Sequence, residues 1–526
     1  MTAQTGKNNK RDVFHHRKGQ FTTKLCYSDL SVSENVPWFP DRQKRMKKPL
    51  LIGLILYTAM FFWFYPPICG IEDEQGFVNQ TIFWSKGSVS AEGAKVSPLL
   101  GDLIEIDGKH VPMRHPGRSL ITLPFYLIGG YHAIFISGYF IHVIMVLSGA
   151  RILARLQCSE NWALLLLFHP TLLIYSRTIM ADASAGICLL IPVYVFAKAG
   201  RLTTRDLITA GLGVSLAAVM RHHAASALPS VAMAAYLRNK SFKSMMVVII
   251  ASAIGAIALI SFNLTVYGTI ADPYSSSRGV FHLEYLKDQI PFYLTALSIF
   301  WPMMAFAVIC VRGPIKHITS GICLTFLLML GCYYFHDTGN SQVQTLVLGL
   351  RLMQVALPSW IIAYVVVLDS WVKPKFKYHQ KMILIQSLFL SGMTIMTFMI
   401  FQAHQNQLNE FENKRQALIQ TVPSKSFILV EGMMPKLVGI YRENQPVYEF
   451  HSVTFAGKSS YSHKILDEKL NSETPVYLLF SSKRPGEQPS PEFNELIQIH
   501  APKVMESGHS EVKIWKLPKP FLPKIP

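Results

Sequence analysis

Between residues 50 and 401 the chain repeats apolar runs of about bilayer length, and this pattern restricts the possible folds more than any other feature. In order they cover roughly 50–66, 127–150, 161–176, 183–199, 207–220, 224–237, 244–267, 291–311, 318–335, 352–371 and 382–401. A helix needs ~20 apolar residues to cross the hydrocarbon core, and only structures that satisfy their own backbone polar groups can do so. The charged fraction agrees: 16% of the chain, where an average soluble protein carries about 25%. The expected fold class is a polytopic α-helical membrane protein with about eleven transmembrane helices. The third to sixth runs are short enough to be broken or re-entrant.

The net charge of +18 is not spread evenly. Residues 1–48 hold eleven Lys or Arg against four acids, and further positive clusters sit in alternate connectors. These are Arg151 and Arg155; Lys198, Arg201 and Arg205; Arg238, Lys240 and Lys243; Arg312 and Lys316; and Lys373, Lys375, Lys377 and Lys381. Positive charge marks cytoplasmic loops facing anionic lipid. The N-terminus is therefore expected in the cytoplasm, with membrane lipid as its contact and no nucleic-acid partner. The 48 polar residues before the first span do not form a cleavable leader, so 50–66 reads as a retained signal anchor. Seven cysteines, none beyond Cys332 and none in CxxC spacing, point to neither a disulfide framework nor a zinc site.

Three regions follow: a basic cytoplasmic tail (1–48), a transmembrane domain (49–401) with a large external loop at 67–118, and an extracytoplasmic C-terminal domain (402–526). "NQLNEFENKRQALIQTV" reads as an amphipathic helix leaving the membrane. "SFILVEG", "PVYEFHSVTF", "TPVYLLFSS" and "EVKIWKL" read as strands, giving a small α/β domain. "RPGEQPSPE" reads as a surface loop.

Chemistry-bearing residues collect on the expected external side. "EDEQGF" places Glu72, Asp73 and Glu74 just past the first span, where Asp73 could take a proton from a hydroxyl or hold a divalent metal. The bland alternative is a solvated acidic loop. In "MRHPGRSLITLPFYLIGG", Arg114, His115 and Arg118 bracket a Pro-Gly turn into a helix starting near Ser119. Helix N-termini attract anions, and two arginines add to that pull; snorkelling side chains at a helix start are the alternative. "YSRTIMADASAG" carries Arg177 and Asp182, the latter either a helix cap or a second functional carboxylate. Arg221, His222 and His223 lie at an external break, and Arg351 lies at the external end of the tenth span. Adjacent histidines on a helix diverge by about 100°, which makes them a poor pair for one metal. The Gly/Pro/Ser loop 267–279 could close over a substrate.

In their order, these segments resemble the multi-span GT-C glycosyltransferases, in the bacterial branch related to protein O-mannosyltransferases and lipid A aminoarabinose transferases. "EDEQGF" is similar to the family's Asp-Glu-x-x-Tyr loop, with Asp73 on the key Asp and Phe77 on the aromatic. "RHPGRSLITLPFYLIGG" is similar to its HPPG-x-x-LL-x-x-P-F segment through His115, Pro116, Gly117 and Pro124, with one proline missing. "YSRTIMADASAG" is similar to the loop bearing its second Asp, here Asp182. "LRLMQVALPSW" resembles its Arg-x-x-x-x-x-x-Pro start to a late span, through Arg351 and Pro358. The resemblance covers about residues 45–400.

It implies an inverting glycosyltransferase that moves a sugar from a polyprenyl-phosphate donor to an envelope lipid, glycan or protein. It places the chain in a bacterial inner (plasma) membrane. Asp73 would deprotonate or orient the acceptor hydroxyl, and Asp182 would hold the acceptor or a divalent metal, the one cofactor the resemblance raises. Arg114, His115, Arg118, Arg177, Arg221 and Arg351 would bind the departing phosphate, with Glu72 and Glu74 in support. The competing reading is a transporter or flippase of a lipid-linked or anionic solute. Ionisable residues at mid-span would favour it, and most of the runs have none.

Overall fold

A computed structural model of the chain describes residues 48–92, 103–270, 281–333, 341–372, 379–432, 449–452, 454–455, 458–459, 463–481, 488–500, 502–505, 507 and 512–518. The basic tail 1–47, most of the loop 267–279, much of "PVYEFHSVTF" and of "RPGEQPSPE", and the side chain of Glu72 lie outside the described residues.

Helix α1 (Lys48–Trp63) ends shortly before Pro66-Pro67, two residues without backbone N–H groups. Helix α2 (Glu72–Ser85) follows, inside the segment expected as a large external loop. It carries no apolar stripe: Glu74, Gln75, Asn79, Gln80 and Thr81 are buried along with Phe77, Val78 and Ile82. A helix enclosed on all sides shows no amphipathic period. Strands β1 (Ala91–Glu92), β2 (Leu103–Ile106) and β3 (Lys109–Pro112) form a small antiparallel sheet in the order β1-β3-β2. Asp107-Gly108, both at positive φ, turn β2 into β3.

Helix α3 (Pro116–Ala133) starts on a proline and kinks where Gly129 and Gly130 leave helical geometry; α4 (Ile136–Arg155) follows. One span was expected at 127–150, and these glycines divide it. The run 161–176 is also interrupted. It forms a 3-10 turn (Glu160–Ala163), α5 (Leu164–Leu167) and α6 (Pro170–Tyr175), because Pro170 disfavours helical geometry at His169. Next come α7 (Asp182–Phe196), α8 (Thr204–Met220), the 3-10 turn His222–Ala227, α9 (Leu228–Asn239) and α10 (Phe242–Tyr267). The run 291–311 splits into α11 (Leu286–Ser298) and α12 (Ala307–Cys310), with Met303 at φ 67° between them. Then follow α13 (Lys316–Gly331), α14 (Gln342–Gly349), the 3-10 turn Leu352–Val355 and α15 (Leu357–Val372).

Helix α16 (His379–Thr421) runs for 43 residues, joining the last apolar run to the amphipathic helix expected beyond 402. Of these helices, α4 and α10 are long and apolar enough to cross a bilayer unaided, while α1, α7, α13 and α15 are shorter apolar helices. Most of the helical core is one cluster that includes the fully buried Trp360, whose Nε1–H bonds the Met304 carbonyl at 2.8 Å, and residues of α2 and α3 form a second.

The C-terminal segment builds a mixed five-stranded sheet that begins with β4 (Phe427–Gly432) and β5 (Glu449–Ser452), beside a separate pair β6 (Thr454–Phe455) and β7 (Lys458–Ser459). Helix α17 (His463–Leu470) precedes β8 (Val476–Ser481), and α18 (Pro491–His500) precedes β9 (Lys503–Met505) and β10 (Val512–Lys516). The sheet order is β5-β4-β8-β10-β9. Its side chains alternate between two layers, as strand geometry requires. Ile428, Val430, Tyr477 and Leu479 pack on Leu408, Phe411 and Leu418 of α16. Phe427, Leu429, Leu478 and Phe480 pack on α17 and α18. Residue 402 thus falls within one continuous helix, whose second half forms a layer of the C-terminal sheet domain.

Candidate active site

Four chain segments converge around two carboxylates. The first is the start of α2, where Asp73 sits in the first helical turn, a position the helix dipole favours for an anion. The second is the link from β3 into α3. There the Arg114 carbonyl accepts from Gln80 Nε2 at 2.9 Å and Tyr267 Oη at 3.3 Å, which fixes the backbone that carries its guanidinium. Gly117 lets the start of α3 lie against the end of α8, since a Cβ there would come within 2.8 Å of the Met220 Cα and Val219 O. That contact brings His115 to the residues following α8, the third segment, where Arg221 is extended and His222 and His223 begin the 3-10 turn. The fourth is Arg351, between α14 and the turn before α15.

Arg114 Nη2 donates to Asp73 Oδ1 at 2.7 Å, and Arg351 Nη2 lies 3.2 Å from Asp73 Oδ2. Asp73 keeps 25% of its side-chain surface exposed, whereas Arg114 and Arg351 keep 4% and 9%. The acid can therefore be reached from outside while its cations are held from behind. Burial opposes the charged form of Asp73, but Arg114, Arg351 and Arg221 outweigh it and hold the carboxyl well below the usual range.

Asp182 begins α7 and is fully buried. Arg221 Nε is 3.2 Å and His223 Nε2 3.8 Å from its Oδ1, yet among the described residues neither carboxylate oxygen has a hydrogen-bond partner. Burial, reinforced by Arg221, His222, His115 and Arg351, keeps His223 well below the ordinary imidazole value and so neutral. His115 Nε2 and His222 Nδ1 share a hydrogen bond of 2.6 Å.

A divalent cation on Asp182 is not supported by this donor set. A guanidinium lies 3.2 Å from it, and a single metal-ligating side chain, His223, lies within 4 Å among the described residues. Among the described residues, no three His, Cys, Asp or Glu side chains group into a metal site.

Several residues singled out from the sequence have partners other than the two aspartates. Arg177 donates to the carbonyls of Phe64 and Phe401 and to His404 and Gln405, pinning the end of α1 to α16. Arg118 is fully buried and donates to the Thr178 carbonyl at 3.2 Å. Glu74 is enclosed and accepts from three backbone amides: Gly70 and Ile71 on Oε2 and Ile179 on Oε1. Burial pushes its pKa up to about 7, opposed by those amides and by Arg118. The supports from Gln80 and Tyr267, and the pairing of His115 with His222, carry no sequence signal. Each joins residues tens of positions or more apart.

No family model and no curated protein matches the chain. Among solved structures, ArnT (lipid A aminoarabinose transferase) from Cupriavidus metallidurans in the apo state is similar at TM-score 0.58 and 9% identity. The match covers 89% of this chain and 97% of that one. The same protein bound to undecaprenyl phosphate matches at TM-score 0.57, with the same identity and coverage. An Archaeoglobus fulgidus oligosaccharyltransferase in the apo form matches at TM-score 0.45 and 9% identity, over 82% of this chain and 69% of that one.

The chain has the GT-C fold. Within this GT-C fold, the segments that carry Asp73, Arg114, Asp182, Arg221 and Arg351 meet at the ends of helices rather than at mid-helix.

Proposed function

We propose that the chain is a polyprenyl-phosphate-dependent glycosyltransferase of a bacterial inner membrane, acting on the external face with its N-terminus in the cytoplasm. The observation that carries this reading is the convergence of Arg114, Arg221 and Arg351 on the two carboxylates Asp73 and Asp182. Three fixed cations face two anions, and the excess positive charge suits a phosphate. The fold it shares with ArnT, one structure of which is bound to undecaprenyl phosphate, gives that phosphate a lipid source.

In this reading the acceptor oxygen attacks the anomeric carbon as the bond from that carbon to the phosphate oxygen breaks. A single displacement of this kind inverts the anomeric centre. The arginines stabilise the charge that develops on the departing phosphate, and the acceptor proton passes to Asp73. In the free enzyme Asp73 is a weak base, because Arg114 and Arg351 hold it ionised. A donor phosphate that takes over those guanidinium groups loosens their hold and raises the proton affinity of the carboxylate. Donor binding therefore comes first. Asp182, buried beside Arg221, sets the position of that arginine. The extracytoplasmic acceptor is a lipid, glycan or protein, with the C-terminal domain beside it.

The transporter reading is not favoured, because the charged residues gather in one cluster rather than along a path. Mass spectrometry of envelope glycolipids and glycans from cells with and without the gene tests the proposal. A sugar-bearing species lost with the gene supports it, and an unchanged envelope in cells that express the protein overturns it.

A further inference from the structure

One peptide group in the segment leading to Asp182 is held at both ends. The N–H of Ile179 donates to Glu74 Oε1 at 2.6 Å, and the carbonyl of Thr178, on the other side of the same peptide bond, accepts from Arg118 Nη2 at 3.2 Å. The second oxygen of Glu74 accepts from Gly70 and Ile71, both at 2.9 Å. A single carboxylate therefore bridges the turn just before Asp73 and the turn just before Asp182. A third element closes the other side. Gly138 has no room for a Cβ, which would stand 2.4 Å from the Ser176 carbonyl and 3.0 Å from that of Thr178. Glu74 itself is fully enclosed and cannot act as a solvated accessory acid.

We propose that Glu74 is a positioning residue: it ties the Asp182 segment to the Asp73 segment and so sets the spacing of the two carboxylates that transfer depends on. The inference rests on the glycosyltransferase reading above. The chemistry demands a carboxylate at this position. Three amide donors converge on it, and a carboxylate answers all of them as an acceptor, with the Arg118 charge favouring its ionised form. An amide of the same shape would point an N–H at one of those donors. A displacement of the reacting groups by about 1 Å can cost ~100-fold in rate.

The test compares wild type, Glu74→Gln and Glu74→Ala in lipid nanodiscs. Amide hydrogen exchange is followed over 174–182, turnover with a panel of undecaprenyl-phosphate hexoses and pentoses, and affinity with undecaprenyl phosphate itself. The expected result is exchange at 176–182 faster by about tenfold, from loss of the bond that protects Ile179. It is joined by a kcat lower by about 100-fold, with affinity for undecaprenyl phosphate, carried by the arginines, close to wild type. Unchanged exchange overturns the proposal, and so does faster exchange with wild-type kcat. Glu74→Gln keeps the side-chain shape and supplies the answer where Glu74→Ala does not accumulate. Wild-type protein that turns over no member of the panel counts against the glycosyltransferase reading. In that event the exchange arm still decides whether Glu74 holds the Asp182 segment.

Discussion

Replacing Arg351 by alanine removes the cation that lies 3.2 Å from Asp73 Oδ2. If this arginine grips a donor phosphate, its loss should weaken the affinity for undecaprenyl phosphate. A hydrogen bond to a charged group contributes about 1.5–3 kcal/mol net, and each 1.4 kcal/mol is about tenfold in Kd. Arg351 is not idle in the free protein, however. It must release Asp73 before it can hold a phosphate, and Arg114, 2.7 Å from the same carboxylate, is kept in the variant. The lower end of the range applies, so Kd should rise about tenfold. Titration of undecaprenyl phosphate into purified protein in nanodiscs, read by native mass spectrometry, measures this. Arg177→Ala is the matched control. It removes an arginine from the same expected external edge, but one spent on the carbonyls of Phe64 and Phe401. It should lower the melting temperature and leave Kd unchanged. Wild-type Kd for Arg351→Ala, or equal weakening by Arg177→Ala, refutes the assignment of the phosphate site.

Two further predictions concern the scaffold around the site. Glu74 has a pKa of about 7 in the fold against an ordinary 4.5, so the folded chain holds its proton more tightly than the unfolded chain. Its own contribution to stability is then greatest below about 4.5 and declines as pH rises to about 7, by roughly 1.4 kcal/mol per pH unit. Glu74→Gln cannot titrate and should lack this slope; parallel pH–melting curves for the two proteins contradict the sign. Gly117→Ala places a Cβ within 2.6 Å of Met220 Sδ and 2.8 Å of the Val219 carbonyl. It should destabilise by about 1–3 kcal/mol through forced separation of α3 and α8, and thermal denaturation with a wild-type midpoint rules this out.

What the sequence could and could not reveal follows from the range of each interaction. Apolar runs and the alternating C-terminal strands are local patterns, and β4, β8 and β10 lie where "SFILVEG", "TPVYLLFSS" and "EVKIWKL" place them. Helix α2 was hidden because its buried positions include Glu74, Asn79 and Gln80, which local hydropathy scores as surface. The run at 161–176, short enough to be broken, is divided at Pro170, and the longer run at 291–311 is divided at the Met303 turn, which hydropathy does not mark. Arg177 and Arg351 read alike as arginines at an external edge. What separates them is their partners: backbone carbonyls and α16 side chains for Arg177, a carboxylate from α2 for Arg351. Glu74 read as an accessory to Asp73, yet its bond to Ile179 spans 105 positions, beyond any local pattern.

Transfer depends most heavily on Asp73 as the residue that takes or orients the acceptor proton, and Asp73→Asn tests that role most directly. Asparagine keeps the shape and leaves Arg114, Arg221 and Arg351 facing the site with one fewer anion among them. Single-turnover transfer of labelled sugar from an undecaprenyl-phosphate donor should fall by about 10²–10⁴-fold, while undecaprenyl phosphate binds at least as tightly as to the wild type. Transfer by Asp73→Asn at the wild-type rate, from protein that accumulates normally in the membrane, contradicts the central claim.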